Sequence, residues 1–412
     1  MGGFLFVYTN GKVDELNFDR VRAGLCDCGY RADLMNLCLD GIENLPGGPN
    51  DMHWSTLFDP DSADTRRRDA MLREHLAETD PDALVVCQDW HPLSRQPVAV
   101  ARDMRIPTAC VLGEGFFINE SEYYWAEPPV SDFMLVWGEL HRDLFLRRGY
   151  PEDRLRITGP PRMDHYASFD PPCERAHFLR AIGCDPNTDP KVVTFATQPF
   201  GDQGEVETLN AAKLQSLNLL AQIARELGFL LVVKVHPLEN GENSCVDYAR
   251  FQRRNDDCVR VTNLGPHQET VDIHSMIYHS QVWCAYSSST LLEAALVRTP
   301  AIELNLTGLP SVTTLGENGV CGYAADKEQL RDALARALAG EPVGTQTGLL
   351  WALHRWFPGH FDGLSTERVV QTLLMIAEGV WQPQSSVPMP TPVPLVPEIR
   401  ARAVPVAGHR ED

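Results

Sequence analysis

The sequence lacks both a hydrophobic run long enough to cross a membrane and the features of a signal peptide. No apolar run approaches the ~20 residues that a membrane-spanning helix needs. The first residues also lack a basic region followed by a long apolar segment. We therefore expect a cytoplasmic protein, and peripheral association with the inner face of the membrane stays open.

Positive charge is scarce in this chain. It has 36 Lys and Arg residues against 56 Asp and Glu residues, which gives a net charge of −20. A surface of this sign opposes broad contact with nucleic acid, so we expect no nucleic-acid partner. It does not oppose a small anionic substrate, because a helix N-terminus can bind an anion without Lys or Arg.

Several catalytic and metal-binding fingerprints are missing. The chain has no G-x-G-x-x-G, no P-loop and no G-x-S-x-G, which disfavours dinucleotide enzymes, P-loop enzymes and α/β-hydrolases. Its 11 cysteines are scattered, without a C-x-x-C pair or a histidine cluster at zinc spacing. This usage is typical of free thiols in a reducing compartment. We expect neither a metal nor a resident cofactor.

What the sequence does contain is an alternation of strand and helix patterns that occurs twice. The first run extends to about residue 137, and the same alternation restarts at residue 192. Such alternation predicts parallel sheets with right-handed crossovers, and 412 residues is a length typical of two domains. The predicted class is α/β with two Rossmann-like domains. We place them at residues 1–165, completed by the last helix at about 364–381, and at 186–363, with a proline-rich disordered tail at 382–412.

The end of one predicted strand carries a cation and an imidazole, in Val233-Lys234-Val235-His236-Pro237. Lys234 and His236 are two residues apart on a strand, so both point to one face. Ligands of open α/β sheets bind outside the carboxyl ends of the strands. His236 is therefore a candidate for binding or protonating a leaving phosphate oxygen. The alternative is a histidine at a strand end that only forms a hydrogen bond with a neighbouring group of the protein.

A second strand ends in four hydroxyl residues, Ser287, Ser288, Ser289 and Thr290, which open a helix. We call residues 287–290 the serine turn. Hydroxyls and backbone N–H groups at the start of a helix suit a bound anion. Glu293, about one turn into the helix, is a candidate acceptor of hydrogen bonds from ribose hydroxyls. The alternative is a capped helix with nothing bound.

Polar residues follow three further predicted strands. Gln198 and Asp202 come after the strand at 192–197 and suit contacts to a nucleotide or a sugar. Glu114 lies between two glycines after the strand at 108–112, where it could deprotonate a hydroxyl. Asp89, together with His91, ends another strand of the first half and is the rival candidate for this base.

These motifs together resemble those of GT-B glycosyltransferases. The likeness is to bacterial surface-polysaccharide enzymes, namely CDP-glycerol glycerophosphotransferases and capsule-type transferases that use CMP-Kdo. It is carried by Thr158-Gly159-Pro160-Pro161-Arg162-Met163-Asp164, by Lys234-Val235-His236-Pro237, by Ser287-Ser288-Ser289-Thr290-Leu291-Leu292-Glu293-Ala294 and by Asp362-Gly363-Leu364-Ser365-Thr366-Glu367-Arg368. The resemblance implies that His236, Ser288 and Ser289 hold the nucleotide phosphate without a metal. It also implies a C-terminal donor domain and an N-terminal acceptor domain.

The function that we predict from these patterns is transfer of a sugar or sugar acid from a nucleotide-activated, CMP-linked donor to a hydroxyl acceptor. The acceptor would be a glycan, a lipid-linked molecule or a small molecule in the synthesis of a surface glycan. Three alternatives stay open. They are a CDP-alcohol-dependent glycerol- or ribitol-phosphate transferase, a non-hydrolysing nucleotide-sugar 2-epimerase, and a non-catalytic scaffold that binds nucleotides.

Overall fold

A computed structural model of the chain contains two parallel β-sheets of six strands each. It describes residues 2–8, 11–36, 63–89, 92–113, 129–198, 206–236, 239, 245–262, 271–311 and 313–382. Every strand pair in both sheets is parallel. The predicted α/β class with two Rossmann-like sheets is therefore confirmed.

The first sheet is built from the N-terminal part of the chain. Its strands are β1 Gly3–Tyr8, β2 Arg31–Asn36, β3 Ala83–Val86, β4 Thr108–Val111, β5 Phe133–Val136 and β6 Leu155–Ile157. They lie in the order β2-β1-β3-β4-β5-β6. The connecting helices are α1 Gly11–Asp27, α2 Ala63–Thr79, α3 Pro92–Asp103 and α4 Glu139–Arg147. Strands β1, β3, β4 and β5 are fully buried, as expected of a sheet covered on both faces.

The second sheet repeats this design. Its strands are β7 Val192–Ala196, β8 Leu230–Lys234, β9 Val259–Thr262, β10 Val282–Ala285, β11 Ala301–Leu304 and β12 Gly322–Ala324. They lie in the order β12-β11-β10-β7-β8-β9. Helices α6 Val206–Leu227, α7 Tyr248–Arg254, α8 Ile273–His279, α9 Thr290–Leu296 and α10 Lys327–Leu338 belong to this half, and α5 Arg175–Ala181 precedes it. α5 packs against α8.

The segment between the two sheets contains more regular structure than an open linker. We call Pro161–Ser168, which forms a 3-10 helix, the connecting segment. It packs against α1 of the first sheet and α9 of the second sheet. Its side chains Met163 and Tyr166 belong to a buried apolar cluster that also includes residues of both sheets. The two sheets thus share a core through this segment.

The last two helices return the chain to the first sheet. Helix α12, Ser365–Ala377, packs against α1 and shares a buried cluster with β1. Helix α11, Gln346–Trp356, begins against Gly319 and ends beside α4. The chain therefore crosses between the two halves along α11. The predicted domain boundaries, at 165, 186 and 363, stay predictions. Residues 383–412 lie outside the described part.

Candidate functional site

The order of the second sheet identifies the place where a ligand would bind. From β7 the chain proceeds outward to β8 and β9, and then returns to the other side of β7 at β10. Such a reversal of strand order is the position where open α/β sheets bind their ligands. Ala196 of β7 pairs with Ala285 of β10 on one side and with Lys234 of β8 on the other. The three strand ends therefore lie side by side.

Three of the predicted groups follow these strand ends directly. His236 follows β8, Gln198 follows β7 and the serine turn follows β10. They are separated in the sequence by 38 residues or more. The parallel register is therefore what brings them to one edge of the sheet. Their role in binding a phosphate stays a prediction. Each of these side chains except that of Ser287 is partly exposed, so each is accessible to a ligand.

His236 is neutral at physiological pH. Burial and the Lys234 ammonium lower its pKa to about 4, while the Glu239 carboxylate opposes this shift. A neutral imidazole can donate a hydrogen bond to a phosphate oxygen but supplies no charge. Lys234 can supply that charge, although burial lowers its pKa as well, and the Glu293 and Glu239 carboxylates raise it. The pair is thus suited to binding an anion.

The serine turn is strained at its first residue. Ser287 has a φ of 43°, in the left-handed region that a non-glycine residue rarely adopts. The Ser287 hydroxyl is buried, accepts a hydrogen bond from the backbone N–H of Thr313 at 3.1 Å and lies 3.2 Å from the Ser311 hydroxyl. This residue therefore fixes the turn, and the half-buried Ser288, Ser289 and Thr290 are left to meet a ligand.

Glu293 is held by residues of the connecting segment. Its side chain is only 4% exposed, and the Tyr166 hydroxyl donates to Oε2 at 2.7 Å. The Arg162 guanidinium lies 3.6 Å from Oε1. Arg162 belongs to the Pro-Pro-Arg-x-Asp pattern of the sequence, but nothing in the sequence pairs it with Glu293. Glu293 therefore has two partners that the sequence analysis did not find.

A cavity of about 690 Å³ adjoins Glu293. Arg20, Arg162, His165, His274 and Phe169 are among its lining residues. The Tyr166 hydroxyl is 2.6 Å from Nδ1 of His274, and because it donates its single proton to Glu293, His274 is the donor in this bond. Burial lowers the pKa of both histidines, that of His165 to about 4. The lining of the cavity therefore includes two neutral imidazoles and two guanidinium groups, together with the carboxylates of Asp164, Asp170 and Glu293.

Asp89 lies inside the first half of the molecule. It is 0% exposed, and its Oδ2 accepts hydrogen bonds from the backbone N–H groups of Val130 and Ser131, at 2.8 and 2.7 Å. Burial raises its pKa, and the two backbone N–H groups oppose that shift. A carboxylate so enclosed supports the chain at 130–131 and does not face an acceptor in this conformation. Its role as a base stays a prediction that these contacts do not favour.

Two of the predicted site residues, Glu114 and Asp202, lie outside the described residues, as does His91. The residue before Glu114 is described, however. The backbone oxygen of Gly113 accepts a hydrogen bond from Asn17 Nδ2 at 3.2 Å, and a Cβ on Gly113 would lie 1.9 Å from the Cys87 sulfur. Only glycine fits at position 113, so the backbone of the residue before Glu114 is fixed just after β4. The role of Glu114 stays a prediction.

No group of three or more His, Cys, Asp or Glu side chains in the described ranges could hold a metal ion. The ten cysteines within those ranges are free thiols, five of them buried. None of the helices in the described part is long and apolar enough to cross a membrane.

The two sheets and the site at their strand ends define a GT-B-like α/β protein. The structure of UDP-GlcNAc 2-epimerase from Methanocaldococcus jannaschii is similar, with a TM-score of 0.61 and 14% identity over 91% of this chain and 99% of that chain. The Neisseria meningitidis UDP-GlcNAc 2-epimerase bound to UDP-GlcNAc gives a TM-score of 0.57 and 14% identity over 91% and 100%. The Anabaena protein HepE, in complex with UDP and glucose, gives 0.53 and 11% over 90% and 99%. No protein-family model matches the sequence, and neither does any curated protein.

Proposed function

We propose that the protein is a cytoplasmic, non-hydrolysing nucleotide-sugar 2-epimerase that acts on a UDP-N-acetylhexosamine. The observation that carries this proposal is the end-to-end likeness to structures of UDP-GlcNAc 2-epimerases, which extends over 91% of this chain and 99% or more of theirs. A likeness of that extent includes both sheets and the connecting segment, and the site described above lies within the part of the chain that forms the second sheet. This likeness supports the alternative of a nucleotide-sugar 2-epimerase rather than the CMP-dependent transfer that we predict first from the sequence.

The residues of the site fit the departure of a nucleotide diphosphate. Inverting C2 of a sugar requires its C2–H bond to break. A base takes the C2 proton while the C1–O bond to the nucleotide breaks, which leaves a neutral unsaturated sugar and the free nucleotide without an oxidant. The nucleotide oxygen then returns to C1 as a proton is delivered to the opposite face of C2, which completes the inversion. The charge that develops on the leaving diphosphate needs nearby donors. His236, Lys234 and the serine turn are the donors in this proposal. Glu293 would bind the ribose, and Glu114 is the candidate for the proton transfer at C2.

Glycosyl transfer is the second candidate, because the His-Pro and Ser-Ser patterns are shared with polysaccharide transferases and because HepE contains UDP with glucose. A transferase with a CMP-linked or CDP-linked donor would use the same phosphate site. The two reactions differ in their need for an acceptor. An epimerase turns over its nucleotide sugar alone, whereas a transferase needs a second substrate.

A thermal-shift panel of CMP, CDP, UDP, GDP and their sugars tests the nucleotide first. A ligand at 100 times its dissociation constant stabilises the folded protein by about 2.7 kcal/mol. We expect UDP and UDP-GlcNAc to raise the melting temperature and CMP to leave it unchanged. Stabilisation by CMP and CMP-sugars alone would refute the epimerase proposal and favour the CMP-dependent transferase.

A further inference from the structure

A buried polar network lies directly beneath His236. The Glu239 carboxylate forms an ion pair with the Lys213 ammonium of α6 and accepts hydrogen bonds from the hydroxyls of Thr197 and, at 3.2 Å, Tyr248. None of these four side chains is more than 5% exposed. They come from the end of β7, from α6, from position 239 and from the start of α7. One carboxylate thus joins four separate parts of the second half.

This network is connected to His236 by two hydrogen bonds. The backbone N–H of His236 donates to the Thr197 hydroxyl oxygen at 3.1 Å, and the Thr197 proton is donated to Glu239. The backbone N–H of Glu239 in turn donates to the His236 carbonyl oxygen at 2.9 Å. His236 is therefore held at both its N–H and its C=O. The Lys213 and Glu239 charges also act on the His236 ring, the first lowering its pKa and the second raising it.

Stability alone does not explain an ion pair in this place. Removing two charges from water costs free energy that their mutual attraction often fails to offset, so apolar side chains of similar size stabilise a core as well or better. What such a pair can supply is a fixed position for the groups bonded to it. The group that this pair fixes is the residue at the phosphate-binding strand end.

We propose that Thr197, Glu239 and Lys213 are positioning residues that fix His236 against the leaving phosphate of the substrate. The proposal rests on the function proposed above, since it needs His236 to contact the nucleotide. Thr197 connects the ion pair to His236, because its hydroxyl bonds both the His236 backbone N–H and the Glu239 carboxylate. Glu239 holds Thr197 in place. None of the three touches the substrate in this account. Their effect is to hold the imidazole where the developing charge will be.

The kinetic test replaces Thr197 by a side chain of the same shape, so that no cavity is left in the core. Thr197→Val keeps the branched shape and removes the hydroxyl, whereas Thr197→Ser keeps the hydroxyl. A misplaced catalytic group lowers the rate about tenfold to a hundredfold. We therefore expect T197V to lower kcat for UDP-GlcNAc by that factor with little change in KM, and T197S to keep the wild-type kcat. Equal kcat values for T197V and wild type would overturn the proposal.

A second variant removes the ion pair as a unit. In Lys213→Met/Glu239→Leu no charge is left buried without its partner, so the core can remain folded. We expect this double variant to lose kcat as T197V does while its urea unfolding midpoint stays near the wild-type value. The matched control is Arg225→Gln, on the same helix as Lys213, which breaks the exposed ion pair of Arg225 with Asp257 and should leave kcat unchanged. A double variant with wild-type kcat would contradict the proposal.

One readout does not depend on turnover. The ring signals of His236 in an NMR spectrum, assigned with His236→Gln, report its surroundings even if no nucleotide sugar reacts. We expect these signals to shift or broaden in T197V and to keep their wild-type positions in T197S. Unchanged signals in T197V would refute the positioning role. A shift in T197V together with an inactive wild-type protein would instead refute the proposed function and leave the network supported.

Discussion

At the scale of single residues, His236 shows how the structure changes the chemistry that the sequence suggests. The sequence places an imidazole at a strand end and allows it to be a general acid. The structure lowers its pKa to about 4 through burial and the Lys234 charge. An imidazole with this pKa is neutral at pH 7, so in the proposed reaction it would stabilise a phosphate by donating one hydrogen bond. The positive charge at this edge of the sheet then comes from Lys234.

Replacing His236 tests this role. His236→Ala removes the donor, and the loss of one such group from a site that stabilises developing charge lowers kcat about 10²- to 10³-fold. The exposed His354→Ala is the matched control and should leave the steady-state rate on UDP-GlcNAc unchanged. A His236→Ala protein with wild-type kcat would show that the leaving nucleotide is stabilised by other groups.

At the scale of elements, the strands of the repeated alternation are predicted well and the connections less so. Helix α6, Val206–Leu227, is of the kind that a sequence can predict, because its apolar positions recur at helical spacing along its 22 residues. Strand β12 is only three residues long and starts with glycine, so it is too short to show the residue pattern from which a strand is predicted. Helix α11 contains Gly348, whose Cβ would lie 2.2 Å from the backbone of Gly319. The position of helix α11 therefore depends on packing against a distant part of the chain, which no local sequence pattern shows.

The Asp164 carboxylate links two elements that are distant in sequence. It accepts hydrogen bonds from the backbone N–H groups of Ser365 and Thr366 at 3.0 and 2.6 Å, at the start of α12. Loss of such a cap costs about 1–2 kcal/mol. We expect Asp164→Ala to lower the free energy of unfolding by that amount in urea titrations. The control is Asp170→Ala, an exposed residue just after the connecting segment. An equal effect of both changes would contradict the capping role.

At the scale of the whole molecule, the candidate site is predicted only in part by the sequence. The strand ends that carry His236, Gln198 and the serine turn could be found, because each follows its own apolar run. The partners of Glu293 could not. Tyr166 is 127 residues away along the chain, and only the fold brings the connecting segment to α9. The same holds for Asp89, whose burial depends on the chain at 130–131.

The stability of the molecule should depend on pH through the histidines of the cavity. Burial, together with the neighbouring His274 ring and the Arg20 guanidinium, lowers the pKa of His165 to about 4, below its ordinary value of 6.5. Between these two values the unfolded chain takes up a proton that the folded chain does not. The free energy of unfolding should therefore fall as the pH falls from 6.5 to 4. Partial exposure of the ring reduces the size of this effect.

The measurement is a set of urea titrations of wild type and His165→Gln between pH 7 and pH 4. We expect the wild-type free energy of unfolding to decline more steeply toward low pH than that of the variant. The exposed His354→Gln serves as the control and should follow the wild type. Parallel curves for wild type and His165→Gln would show that this histidine is not held neutral by the fold.

As proposed, the protein inverts C2 of a UDP-N-acetylhexosamine without an acceptor. The most direct measurement is an incubation of the protein with UDP-GlcNAc alone in D₂O, followed by ¹H NMR of the sugar signals. Because the C2–H bond must break and be replaced from solvent, the account predicts a second UDP-sugar, epimeric at C2, that carries deuterium at that carbon. Unchanged UDP-GlcNAc, with its C2 hydrogen retained after prolonged incubation, would contradict it.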